Sequence, residues 1–214
     1  MTISSYRTLP VVALGAALLF AGACSSSANS SDAAGTAPSA STPNTSTVPG
    51  DVVTGTVGAK GSGCELPVTF SVAATWESKA VTVDDDDPLA ALARRGPLRM
   101  ACEINARPDG LAGFLRVWID PAAKGDTQVA LKALLTGEKT RNAGYTPVKI
   151  GGLDGAELQY QLFSELMEEY SDRRAFAVPT PGGAVVVELS GLESDDPAMQ
   201  SAYETAKSSL TVNA

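Results

Sequence analysis

The side chains in this sequence that could carry chemistry are mostly carboxylates. Asp84, Asp85, Asp86 and Asp87 form an unbroken run, and Glu165, Glu168, Glu169 and Asp172 a looser cluster. Clustered carboxylates hold calcium when a loop wraps its oxygens round the ion, with a glycine at the sharp turn and a distal glutamate. The aspartate run has neither, and Pro88 follows at once. It reads as a solvated acidic loop, with Asp87 as a helix cap. Paired carboxylates cleave glycosides when they face each other across a cleft, whereas the second cluster sits on one turn between two expected strands. The chain has no histidine, which removes Ser-His-Asp and Cys-His catalysis and argues against a catalytic zinc. Gly151-Gly152 and Gly182-Gly183 lack the following Lys-Ser/Thr of a phosphate loop, and no serine lies in Gly-x-Ser-x-Gly. The expectation is a protein without a catalytic set, a metal site or a cofactor.

Aromatic residues make up only 6% of the chain. Trp76, Trp118 and Tyr160, with Tyr145 beside them, are the candidates for lining a ligand groove, and core packing explains them equally well.

Three cysteines, Cys24, Cys64 and Cys102, remain. The first follows Arg7, an apolar stretch from Leu9 to Phe20, and small residues, the pattern of a secretory signal over residues 1–23. Twelve apolar residues are too few to span a bilayer. Ala21-Gly22-Ala23-Cys24 resembles the lipobox of bacterial lipoproteins, although Ala21 stands where a branched apolar residue is usual. The resemblance implies cleavage before Cys24 and a diacylglyceryl group on its thiol, two acyl chains that suffice for stable attachment. Ala21-x-Ala23 also fits plain secretion, with the same bond cut and no lipid. An exported chain seldom leaves an odd thiol, so an anchored Cys24 leaves Cys64 and Cys102 as an even pair. They have 37 residues between them, not the Cys-x-x-Cys spacing of a redox pair, and a structural disulfide is expected.

These sites are positioned by a chain of 214 residues with net charge -8. That acidity excludes a nucleic-acid binder, which needs a basic face. Residues 24–63 are rich in Ser, Ala, Thr, Pro and Gly. They cannot bury enough surface to offset chain entropy, so they are expected to be a disordered tether with a reach of roughly 35 Å. Residues 64–214 hold 14 basic and 22 acidic side chains and are long enough for one core.

Alternation, β-branched content, apolar runs and turn signals predict strands at residues 68–72, 79–83, 98–104, 114–119, 146–150, 156–162, 174–178 and 184–189, with 114–119, apolar on both faces apart from Arg116, a central strand. In the strand over residues 156–162, Glu157, Gln159 and Gln161 are expected to face water. Three helices are expected. The first is capped by Asp87 and stopped by Gly96, with Leu89 and Leu92 inward. The second runs from Asp126 to Gly137 with Val129, Ala130, Ala133 and Leu134 inward. The third, capped by Asp196, carries Met199, Ala202, Tyr203, Ala206 and Leu210 on one stripe. The class is α+β, a single antiparallel sheet with helices packed on it.

Cys64-Glu-Leu-Pro-Val-Thr-Phe-Ser-Val followed by Trp76 resembles the opening of actinobacterial lipoprotein domains of the LpqN type. Ala184-Val-Val-Val-Glu-Leu and the closing helix from Pro197 to Leu210 resemble their ending. Those domains are similar to the PsbP fold, an antiparallel sheet between helices. The resemblance implies a non-catalytic envelope module, attached to the membrane through Cys24, that binds an envelope protein or a small apolar ligand. Two alternatives remain open: an envelope hydrolase using carboxylates alone, and a soluble secreted protein without lipid.

Overall fold

The computed structural model describes residues 54–84, 86–88 and 90–213, all within one compact unit, Val48–Ala214. The expected signal peptide, Cys24 and the tether up to residue 53 lie outside the described residues, as do Asp85 and Leu89.

Two sheets form where one was expected. The smaller has the order β1-β2-β11, from Thr54–Val57, Val68–Ala73 and Thr211–Val212. The larger has eight strands. Its path runs β3 (Glu77–Ala80), β5 (Leu98–Asn105), β6 (Gly113–Asp120), β10 (Gly183–Gly191), β9 (Glu169–Thr180), β8 (Leu153–Ser164) and β7 (Thr140–Ile150), and β4 (Arg94–Arg95) pairs beside β5. All these ladders are antiparallel. The split has a simple cause. Val68, Phe70 and Val72 bury one face of β2 completely or nearly so, but among the described strands β2 pairs with β1 and β11 and with none of the larger sheet. Its apolar face is covered by stacking on the large sheet rather than by joining it, a choice that alternation along β2 cannot reveal.

β1 also moves the expected boundary of the tether. Residues 54–57, assigned to the linker, pair with β2 through Val57 and Phe70, and Val57 is buried. Thr-Gly-Thr-Val is too short and too small to stand out from its surroundings, and it becomes a strand by pairing.

Two helices complete the layers. α1 (Thr127–Leu134) starts where Asp126 accepts hydrogen bonds from the backbone N–H groups of Gln128 and Val129, both at 3.0 Å. It buries Ala130, Leu131, Ala133 and Leu134, whereas Val129 is exposed. α2 (Pro197–Ser209) is capped by Asp196, which accepts from the Ala198 N–H at 2.7 Å. Its expected stripe of Met199, Ala202, Tyr203, Ala206 and Leu210 is wholly buried. One face of the large sheet packs against the small sheet and α2, with Leu115, Val117, Phe176, Val185 and Val187 at the seam. The opposite face packs against α1 through Leu98, Trp118, Leu158, Tyr160 and Val186.

The helix expected after Asp87 does not form. Ala90–Ala93 make a 3-10 turn, and Arg94 and Arg95 then pair with Arg99 and Leu98. Gly96, at φ 56°, turns the chain back between them, so ladder hydrogen bonds replace the helical ones. Leu92, expected inward, is 72% exposed. The strand expected to run to Val83 ends at Ala80.

Cys64 and Cys102 are bridged, with Cα atoms 5.9 Å apart, a normal span for a disulfide. The bridge ties the loop between β1 and β2 to β5, and Ala80 N–H donates to Gly63 O beside it at 3.1 Å.

Candidate functional site

The site begins with a carboxylate inside a strand. Ala184–Leu189 of β10 is buried on both faces, and Glu188 in its midst is 1% exposed. Alternation puts Glu188 on the α1 side, in line with Val186. Burying an ionised carboxylate is costly unless donors surround it. Trp118 Nε1 donates to Glu188 Oε2 at 3.0 Å and Tyr160 Oη donates to Oε1 at 2.8 Å. Arg95 Nη1 lies 3.5 Å from Oε1. Burial first, and then the charge and hydrogen bond of Glu188, push the Tyr160 phenol well above its usual value.

Arg95 connects this buried group to the surface. Its Nη2 pairs with Glu138 at 3.2 Å, its Nη1 donates to Leu134 O at 3.3 Å, and its guanidinium sits 5.1 Å from the Trp118 ring centroid. Beyond it opens a cleft of about 700 Å³, walled by residues 79–83 and 91–95 and floored by Met100, Glu103 and Arg116. Arg116 Nε donates to Glu103 at 2.9 Å. The volume falls in the range of ligand sites. One wall is apolar, through Val81, Val83 and Ala91, with exposed Leu92 at the rim. The other end presents planar guanidinium groups held by carboxylates, which suits recognition of carbonyl and carboxylate oxygens.

On the other face a second charged network fastens α2 to the sheet. Glu157, expected in water, is buried. It accepts from Arg174 Nη2 at 2.6 Å and from Tyr203 Oη at 3.1 Å, and it pairs with Lys207 at 3.3 Å. Arg174 and Lys207 also reach Glu204, at 2.6 and 2.7 Å. Burial and the charge of Glu157 push the Tyr203 phenol well above its usual value. Glu204 shifts the other way: its partial burial is outweighed by hydrogen bonds from Lys207 and Arg174, which lower it.

The three expected groove aromatics are divided. Trp118 and Tyr160 meet at Glu188, both buried. Trp76 lies on the α2 side, donating to Asp109 Oδ2 at 2.9 Å in a small recess of about 180 Å³ beside Ala198 and Thr205. Asp84 borders the outer end of the cleft region, and Asp86 and Asp87 are exposed. Glu165, Glu168 and Glu169 occupy the exposed tip of the β8–β9 hairpin, with Asp172 just behind it. Among the described residues no three His, Cys, Asp or Glu side chains gather as a metal site would require. Glu188 escaped the sequence reading, yet it carried a sign: it is the only charged residue in a strand apolar at both parities. Glu157 carried none, because its strand alternates as a half-wet strand does.

Residues 32–210 match the family described as uncharacterised lipoprotein. The chain belongs to that family. A lipoprotein is an envelope-associated protein, and the match covers both the domain and part of the Ser- and Ala-rich segment before it. No curated protein matches the lipoprotein sequence. Among solved structures it is similar to the solution structure of cyanobacterial PsbP (CyanoP) from Synechocystis sp. PCC 6803. Identity is 16%, coverage is 77% of this chain and 95% of that one, and the TM-score is 0.44.

Proposed function

We propose that this lipoprotein is a non-enzymatic binding or accessory module of the cell envelope, anchored on the extracytoplasmic face by a diacylglyceryl group on Cys24. The cleft beside Arg95 carries this reading. It joins an apolar wall to a set of guanidinium groups whose carboxylate partners, Glu103 and Glu138, are engaged in ion pairs rather than opposed across open space. Such a surface binds, whereas glycoside cleavage needs two carboxylates facing a substrate. The occupant is a segment of another envelope protein that seats an apolar side chain beside Leu92 and presents oxygens to the arginines.

Photo-crosslinking tests the assignment. A crosslinker at position 92, in cells with an intact envelope, is expected to give one discrete adduct with a protein. The same probe at Ser208, exposed at the end of α2, is expected to give none. An adduct with lipid or another small apolar molecule at 92 would replace the protein partner, and equal adducts from both positions would overturn the site.

A further inference from the structure

A second recess, chemically unlike the cleft, lies at the protruding end of the β8–β9 ladder. β8 and β9 run past the end of β10: the last β10–β9 pair is Leu189 with Arg174, whereas β8 and β9 remain paired out to Ser164 and Glu169. On this protruding ladder the face that carries Glu157 continues outward through Gln159, Gln161 and Phe163 of β8. Opposite them stand Arg174, Asp172 and Tyr170 of β9. An open groove of about 620 Å³ crosses the ladder from Asn142, in the β7 bulge, to Asp195 and Gln200 at the start of α2.

Every side chain lining this groove has a polar group, and four of the nine are amides. Three of the amides, Asn142, Gln161 and Gln200, are held by hydrogen bonds. Gln161 Oε1 accepts from Arg141 Nε at 2.7 Å and from Asn142 Nδ2 at 3.1 Å, and its Nε2 donates to Asp172 Oδ1 at 2.9 Å. Gln200 Oε1 accepts from Arg174 Nη1 at 2.8 Å, and its Nε2 donates to Ser194 O at 2.7 Å. Three groups keep free bonding capacity toward the opening: the Gln159 amide, Asp172 Oδ2 and the Asp195 carboxylate form no hydrogen bond with another described residue.

The chemistry of the occupant follows. Arg174 is neutralised by Glu157 and Glu204, and Arg173 faces Asp195 and Glu188 and donates to Ser194. The two arginines of the lining are therefore matched by carboxylates, Arg141 beside it is engaged with Gln161, and the lining offers no apolar wall for an acyl chain. It offers acceptors and amide donors side by side, as vicinal hydroxyls require, because each hydroxyl both donates and accepts. One ladder step outward, Phe163 and Tyr170 pack edge-on with ring centroids 5.1 Å apart; Lys139 and Arg141 each cover one ring, at 3.5 and 3.8 Å from the centroids, so the pair forms a fixed flank to the groove.

We propose that this groove is a binding site for a neutral saccharide, with Gln159, Asp172 and Asp195 holding hydroxyls and the Phe163–Tyr170 pair flanking the ring. The proposal is independent of the Arg95 cleft. The test titrates the full chain with maltotriose and with triacetylchitotriose, both neutral, to roughly 10 mM, a range that detects millimolar binding, following the side-chain amide signals of Asn142, Gln159, Gln161 and Gln200 by NMR. At least one trisaccharide is expected to shift these signals saturably. Gln159→Ala and Asp195→Ala, both at exposed positions, are each expected to weaken affinity about tenfold, the worth of one lost polar contact. Leu92→Ser in the cleft is expected to leave affinity unchanged. The proposal is overturned if neither trisaccharide moves a groove amide, if both variants bind as the parent does, or if dodecyl phosphate displaces the sugar.

Discussion

A carboxylate in the middle of a buried strand persists only when donors meet both of its oxygens. Glu188 has an indole, a phenol and a guanidinium in place, so the residues that looked like a groove lining are largely its retinue. Glu188→Leu would strand the Trp118 indole N–H and the Tyr160 hydroxyl and take one of two carboxylates from Arg95, and is expected to cost about 3–5 kcal/mol, the usual penalty for breaking a buried pair from one side. Tyr160→Phe removes a single hydrogen bond and is expected to cost about 1 kcal/mol. Urea unfolding of the two variants checks both, and equal losses would show that Tyr160, not Arg95, is the main partner.

The phenols of Tyr160 and Tyr203 make the second prediction at this scale. Both are held well above their usual value by burial and a neighbouring glutamate. The folded state therefore binds these protons more tightly than the unfolded chain does. The resulting stability is fully present below about pH 10, where a free tyrosine titrates, and is lost as pH rises beyond that. Unfolding free energy should be flat with respect to these groups up to that point and fall above it. The fall should be shallower in Tyr203→Phe, and an unchanged alkaline limb in that variant would refute the assignment.

At the scale of elements, local signals located strands and helices, and only contacts decided how they stack. Asp126 and Asp196 marked the starts of α1 and α2, because a cap acts within its own first turn. The alternation of β2, β5, β8 and β9, and the mostly apolar runs of β6 and β10, were legible for the same reason. The helix expected from Asp87 to Gly96 failed because Gly96 also closes a hairpin, and pairing with β5 outweighed a short helical stretch with a plausible cap. The division into two sheets was hidden, since one apolar face looks the same whether a strand joins a sheet or lies across it.

The turn between β7 and β8 gives a contrast that tests the packing. Gly151 and Gly152 both have positive φ, at 54° and 85°. A Cβ on Gly151 would meet Leu210 O at 1.7 Å, while one on Gly152 would meet nothing within 4 Å. Gly152→Ala is expected to cost about 1 kcal/mol of backbone strain. Gly151→Ala should cost at least twice that, because the end of α2 must move away. Thermal unfolding of the pair measures the difference, and matching losses would mean that α2 does not press on this turn. The Cys64–Cys102 bridge makes a further prediction. Replacing both cysteines by alanine is expected to lower stability by about 2–4 kcal/mol, by the loop-closure argument, and a urea midpoint unmoved by the change would contradict a structural role.

For the whole molecule, the sequence divides into an expected export signal, a low-complexity approach and a domain whose first strand begins inside the segment read as tether. The domain offers two recesses of different chemistry, the half-apolar cleft at Arg95 and the polar groove at Gln159. Two such recesses would suit the proposed role of an anchored module that joins components of the envelope. None of this was legible from the carboxylate clusters that first drew attention. Glu165, Glu168 and Glu169 are exposed at a hairpin tip, and the buried carboxylates that shape the domain, Glu188 and Glu157, each stood alone in a strand.

Anchorage is the central claim, because every partner proposed here is reached from the membrane. The most direct measurement is the intact mass of the mature chain recovered from the membrane fraction. The account predicts a polypeptide beginning at Cys24 and heavier than its sequence by a diacylglyceryl group. A mature chain that begins at an unmodified Cys24, recovered in soluble form, would contradict it.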